Sequence, residues 1–229
     1  MNEPIERLKS VKLRIENACK AAGRDPNDVS LLAVSKRHPA SEIITFNDLG
    51  VRSFGENQLQ EALVKQGELG DLDLQWHFIG TIQSNKTRPI AEHFQWVQSV
   101  DRQKILERLS SQRPEPLPPL NVCLQVNIDR EPQKAGASPE DILQLAGVAR
   151  ELDNIRLRGL MAIPRMTANV QEQHQSFKNV KTLFEELKRA GHEVDTLSMG
   201  MSSDLETAIS EGSTMVRIGT DLLGPRITT

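Results

Sequence analysis

Short apolar runs alternate with longer stretches of helical period along this chain. Eight runs have strand character: Ser30 to Ser35, Val51 to Phe54, Leu74 to Gly80, Trp96 to Val100, Leu120 to Ile128, Arg156 to Ile163, Thr196 to Met199 and Thr214 to Ile218. Between them the spacing predicts helices. Ile5, Leu8, Val11, Ile15, Ala18 and Cys19 share one face of an opening helix, which Gly23 is placed to end. Asp101 is expected to cap a helix carrying Ile105, Leu106 and Leu109. Ser138-Pro139-Glu140-Asp141 reads as a capping pattern with proline in the first turn. Leu183 and Leu187, closed by Gly191, mark a further helix.

Strand-helix alternation with crossovers of this length predicts parallel pairing, because antiparallel neighbours need only tight turns. The resulting fold class is α/β: a closed (β/α)8 TIM barrel with an extra N-terminal helix, residues 1–229 forming one domain. An open doubly wound sheet is the alternative. The proline-rich stretch Gln112 to Pro119 falls where a helix hands over to a strand and reads as a stiff loop, not a linker.

Composition narrows the function classes. With 38% hydrophobic and 26% charged residues the chain is neither disordered nor membrane-like. Its first residues lack the apolar segment of a signal peptide and no stretch approaches a membrane span, so cytoplasmic residence is expected. The net charge of −3, with no basic stripe interleaved with aromatics, argues against nucleic acid as a partner. Cys19 and Cys123 form no Cys-x-x-Cys pair and have no histidine at ligand spacing; both read as core thiols, and no metal is expected.

The candidate chemistry gathers at strand tips. Lys36 ends the run Leu31-Leu32-Ala33-Val34-Ser35-Lys36, where partial desolvation frees a neutral amine to attack an aldehyde. In barrels of this kind a phosphate is often held by the loops after the seventh and eighth strands. Here those loops are Ser198-Met199-Gly200-Met201-Ser202-Ser203 and Val216-Arg217-Ile218-Gly219-Thr220. Ser202 and Thr220 offer hydroxyls, and Gly219 permits close backbone approach. Ser203 and Glu206 also match a capping box, and Arg217 fits either the mouth or a structural salt bridge. Asn57 follows the second strand. By alternation His77 shares a face with Ile79 and points into the barrel, as a hydrogen-bonded core residue or beside a ligand ring.

Trp76-His77-Phe78-Ile79-Gly80-Thr81-Ile82-Gln83-Ser84-Asn85-Lys86 closely resembles the signature of the pyridoxal phosphate homeostasis protein family, also called the proline synthetase co-transcribed homologue family. Ala33-Val34-Ser35-Lys36, Phe54-Gly55-Glu56-Asn57, Gly159-Leu160-Met161, Leu197-Ser198-Met199-Gly200-Met201-Ser202 and Val216-Arg217-Ile218-Gly219-Thr220 match as well, so the resemblance runs from first strand to last. It implies a barrel of the alanine racemase N-terminal type with pyridoxal 5′-phosphate (PLP) bound covalently. Lys36 matches the Schiff-base lysine. Ser202, Gly219 and Thr220 match phosphate-holding positions, Ser198 and Met201 line that loop, and Asn57 and His77 border the cofactor. Arg217 matches an arginine facing the pyridine nitrogen, which weakens the ring as an electron sink.

The implied role is vitamin B6 homeostasis: a monomeric, non-enzymatic carrier that holds PLP, supplies PLP-dependent apoenzymes and so influences amino-acid and keto-acid balance. Two alternatives are a PLP-dependent amino-acid racemase and a cofactor-independent Schiff-base lyase or aldolase. The racemase reading meets a compositional obstacle. A related two-base racemase uses a lysine and a tyrosine, and this chain has no tyrosine.

Overall fold

Eight parallel strands close on themselves in sequence order, β1 pairing with β8, so the open-sheet alternative is excluded. The computed structural model describes residues 2–225. The strands are β1 (Ser30–Val34), β2 (Ser53–Glu56), β3 (Gln75–Phe78), β4 (Trp96–Val100), β5 (Leu120–Val126), β6 (Ile155–Ala162), β7 (Thr196–Ser198) and β8 (Met215–Ile218). The helices are α1 (Asn2–Ala21), α2 (Ala40–Asp48), α3 (Leu59–Glu68), α4 (Thr87–His93), α5 (Gln103–Ser111), α6 (Ile142–Arg150), α7 (Val170–Arg189), α8 (Leu205–Ser210) and α9 (Thr220–Leu223). The extra N-terminal helix is α1, which packs on α8 and α9.

Pleating divides the core in two. Outward-facing Ala33, Phe54, Phe78, Val97, Leu160 and Val216 meet helix residues such as Phe46, Ile90, Leu106 and Phe184 in one continuous apolar shell. Inside the barrel a much smaller apolar group, Trp96, Cys123 and Met161, stands apart from that shell. Both cysteines are buried, as their apolar settings predict, and burial pushes the Cys123 thiol up to about 12.

Helix α7 illustrates how local sequence sets an element. Asn169 accepts from the amides of Gln171 and Glu172, and Phe177, Val180, Phe184 and Leu187 recur on the buried face. Gly191, at φ 81°, ends the segment where a left-handed residue is needed, as Gly23 does after α1 at φ 65°. The stiff loop before β5 is fixed by Arg113, which donates to the carbonyls of Ala91, Phe94 and Pro118.

Three capping expectations fail. Asp101 accepts from the Arg102 guanidinium instead of an amide of α5, whose N-cap is Arg102. The Ser138 hydroxyl donates to the Asp141 carboxylate, although a short 3-10 turn does begin at Pro139. The Ser203–Glu206 box does not form: the N-cap of α8 is Asp204, whose carboxylate accepts from the Met201 amide, while Glu206 is engaged by Arg14 of α1. In each case a stronger, charge-assisted or closer partner takes the capping group.

Candidate functional site

The C-terminal ends of the strands open into a cleft of about 720 Å³. Lys36 enters it from β1. The Ser35 amide donates to Gly55 O, extending the ladder one residue past the strand, and the chain then turns through Arg37 at φ 61°. A left-handed arginine is disfavoured, and the turn is held from below. The Arg37 amide donates to Glu61 Oε1 at 2.5 Å, and the Ser35 hydroxyl donates to Glu56 Oε1 at 2.6 Å. Lys65 Nζ reaches Ser35 O, Glu56 Oε1 and Glu61 Oε1 at 2.8, 2.7 and 2.7 Å. This buried ion cluster clamps the residues on both sides of Lys36. Burial raises Glu56 above the ordinary carboxylate range, and the Lys65 ammonium offsets part of that rise.

Asn57 lines the same cleft beyond β2. Its backbone lies so close to β3 that a Cβ on Gly80 would stand 2.1 Å from Asn57 O, so glycine is required there. On the other side of β1 from β2, Gly219 and Thr220 follow β8, the strand paired with β1, and Met201, Ser202 and Ser203 follow β7 next to it. The backbone turns sharply at Gly200, φ 97°, whose carbonyl accepts from the Arg217 amide. The amides of Ser202, Ser203 and Thr220 and their three hydroxyls meet no acceptor among the described residues. These six donors belong to residues that line the cleft, a donor set suited to an oxyanion.

Arg217 is 4% exposed and stands at the floor. Its Nη1 donates to Ser198 O and Oγ at 2.7 and 2.8 Å and its Nη2 to Ala162 O at 2.8 Å. Three of five guanidinium donors are used in this way, and the other two, on a side chain that lines the cleft, meet no acceptor among the described residues. The structural salt bridge is absent: among the described residues no carboxylate pairs with it. Burial brings its pKa down to about 10, so it remains charged at neutral pH.

Two of the nine sequence-predicted residues lie deeper than expected. Lys36, Asn57, Met201, Ser202, Arg217, Gly219 and Thr220 line the cleft; Ser198 and His77 are fully buried beneath it. They belong to a directional chain in which Arg217 donates to Ser198, Ser198 Oγ to Gln98 Oε1 at 2.6 Å, Gln98 Nε2 to His77 Nδ1 at 2.9 Å, and His77 Nε2 to Gln75 Oε1 at 3.2 Å. Gln98 on β4 reaching Ser198 on β7 places this chain across the barrel interior. His77 also stacks on Trp96, 5.1 Å between centroids. Alternation predicted its inward direction and gave no information on depth. The core reading of His77 is the one the structure adopts.

Burial drives the His77 pKa down to about 3, so the imidazole stays neutral. As pH falls from the ordinary histidine value of about 6.5 toward 3, the unfolded chain takes a proton that the folded chain refuses. Stability from this group is therefore full above about pH 6.5 and declines below it, by up to about 1.4 kcal/mol per pH unit. A folded His77→Gln variant is expected to lose that slope in urea titrations between pH 7 and 4; an unchanged slope refutes the assignment.

Other lining residues escaped the sequence reading. Gln125, Gln133, Lys134, Met161 and Met166 close the β5–β6 side, with Lys134 Nζ donating to Pro164 O at 2.9 Å. Gln125 lies in β5 and Met161 in β6, the latter within the Gly159-Leu160-Met161 motif, whereas Gln133, Lys134 and Met166 have only their position after a strand as a signal. Among the described residues no His, Cys, Asp or Glu cluster is arranged to hold a metal, and no helix is long and apolar enough to cross a membrane.

The model of the alanine racemase N-terminal domain matches residues 7–226, which sets the class: a barrel of the alanine racemase N-terminal type. A pyridoxal phosphate homeostasis protein of Pseudomonas aeruginosa is 59% identical over 226 residues, covering 99% of this chain and 97% of that one. That of Escherichia coli K12 is 47% identical over 229 residues, covering 99% and 98%. The chain belongs to the pyridoxal phosphate homeostasis protein family. The solved structure of PipY from Synechococcus elongatus with PLP bound is 39% identical with a TM-score of 0.80, covering 92% of this chain and all of that one. Alanine racemase of Clostridium difficile shares the fold at 16% identity and a TM-score of 0.78, this chain spanning 56% of it.

Proposed function

We propose that the chain binds PLP covalently through the Lys36 amine, shields it and supplies it to PLP-dependent apoenzymes. The observation that carries this reading is the convergence of Lys36, the two spare donors of Arg217 and the six-donor cradle around one cleft. When bound, PLP supplies an aldehyde carbon that condenses with a primary amine. The remaining work belongs to the protein. Lys36 presents its amine from a turn fixed on both sides. Ser202, Ser203 and Thr220 hold the phosphate, with Met201 and Gly219 shaping their loops. Arg217 directs positive charge at the ring nitrogen and keeps a proton off it, and Asn57 borders the ring.

Storage and supply fit this site better than turnover. A racemase needs a second proton-transfer group on the face opposite the lysine, the chain has no tyrosine, and His77 is neutral and enclosed below the floor. A cofactor-free lyase would place a sugar phosphate on the same lysine and cradle; the 39% identical neighbour solved with PLP bound favours PLP over it. The direct test pairs protection with delivery. Stoichiometric protein is expected to slow dephosphorylation of PLP by a phosphatase at least about tenfold and still to activate an added apoenzyme. Hydrolysis at the rate of free PLP rejects the carrier reading.

A further inference from the structure

The phosphate end of the cleft is built from two loops that are joined at their roots, where the Arg217 amide donates to Gly200 O, but whose tips, residues 201–204 and 219–221, share no hydrogen bond among the described residues. Asp204 closes the first on itself by accepting from the Met201 amide. The second runs from Gly219 directly into the single turn of α9. One side chain touches both, and it comes from neither. Arg14 of α1 donates through Nη2 to Ser202 O at 2.8 Å and through Nη1 to Asp221 Oδ2 at 2.6 Å. It also grips Glu206 at the start of α8 in bidentate fashion, at 2.7 and 2.9 Å. A planar guanidinium engaged on all three nitrogens has one orientation, so the three attachments are fixed relative to one another.

The bond to Ser202 O has a directional consequence. In a trans peptide the carbonyl and the amide of the next residue point opposite ways. Drawing Ser202 O toward α1 therefore turns the Ser203 N–H away from α1, and Ser203 lines the cleft. Asp221 directly follows Thr220, so holding its carboxylate sets the start of α9 and with it the Thr220 amide and hydroxyl.

We propose that Arg14 is a positioning residue for phosphate recognition: it fixes the spacing of the two loops and aims the Ser203 amide, so that the N-terminal helix tunes how strongly the cleft distinguishes a phosphorylated pyridoxal from an unphosphorylated one. This rests on the PLP reading above. Arg14 touches no ligand itself. Its removal should loosen the phosphate end and leave the Lys36 turn, which is held separately by Glu56, Glu61 and Lys65, as it was.

The experiment compares equilibrium binding of PLP and of pyridoxal, each followed by the visible absorbance that develops on linkage, in wild type, Arg14→Gln and Asp221→Asn. Wild type is expected to prefer PLP strongly. Arg14→Gln should weaken PLP binding about tenfold, the size of a lost charge-assisted hydrogen bond, and pyridoxal binding less than about twofold. Asp221→Asn removes one arm and should give a drop of about threefold in the same ratio, which keeps the test open if Arg14→Gln fails to fold. Equal weakening toward both ligands, or an unchanged ratio in a folded variant, overturns the positioning role. A wild type that binds both ligands equally rejects the phosphate placement itself, whatever Arg14 does.

Discussion

Lys36→Ala is expected to abolish covalent retention of PLP while the barrel stays folded. Borohydride reduction followed by mass spectrometry should find the pyridoxyl adduct on Lys36 in wild type and no adduct on that segment in the variant. The residue lies two positions beyond β1, outside the apolar shell and the interior group. Its truncation removes no core packing, so Tm is expected to move by less than about 4 °C, the shift that about 1 kcal/mol produces in a chain of this size. An adduct that persists at full yield shifts the linkage to another amine, Lys134 being a second lysine on the cleft wall. Loss of helical signal together with the adduct instead makes Lys36 structural.

The second large effect lies beneath that lysine. Lys65→Met leaves Glu56 buried with its partner gone, and breaking a buried pair from one side costs about 3–5 kcal/mol. The sign of the pH dependence separates this from simple loss of packing. Burial already raises Glu56, and removing the ammonium raises it further. For an acid with a raised folded pKa the contribution is full below the unfolded value and lost as pH climbs toward the folded one. The variant should therefore be most destabilised near neutral pH and recover part of the deficit as pH falls toward 5. Adding Glu56→Gln should restore stability at pH 7. A deficit that ignores both pH and the second substitution disproves the electrostatic account. Because Glu61 and Lys65 also hold Arg37 and Ser35, linkage at Lys36 should slow in the single variant.

Much of the barrel was legible because its strands are short apolar runs, densest on the face that meets the helices, and its crossovers have helical period, signals that survive without tertiary information. Boundaries were less so. Val51 was read into β2, which begins at Ser53; Val51 is buried at the end of the α2 turn, its amide donating to Phe46 O, and an apolar linker residue looks like a strand residue in sequence. The caps failed for a related reason. Glu206 carries the right spacing for a box, yet its partner Arg14 lies 192 positions away, and local pattern cannot anticipate such competition. At the site, the tips carrying Lys36, Asn57, Ser202, Arg217 and Thr220 were found because strand ends mark height. For His77 alternation reported an inward direction and no depth, and Ser198, taken from the resemblance, lies beneath the cleft with it. The Glu56–Lys65–Glu61 cluster left one trace, the i,i+4 pair on α3, which reads as a solvated helix face until Glu56 is seen beneath it.

The closure of β8 onto β1 bears on how the protein is made. The wall carrying Lys36 belongs to the first strand and the walls carrying Ser202 and Thr220 to the last two, and Arg14 finds its carboxylates only in α8 and α9. During synthesis the amine-bearing edge of β1 waits without its neighbour until β8 has left the ribosome, since contacts so distant in sequence form only once both strands are available. A nascent chain therefore has no competent cleft to load. The protein gains its hold on a reactive aldehyde at the moment the ring of strands shuts, and a chain truncated before β8 cannot form it.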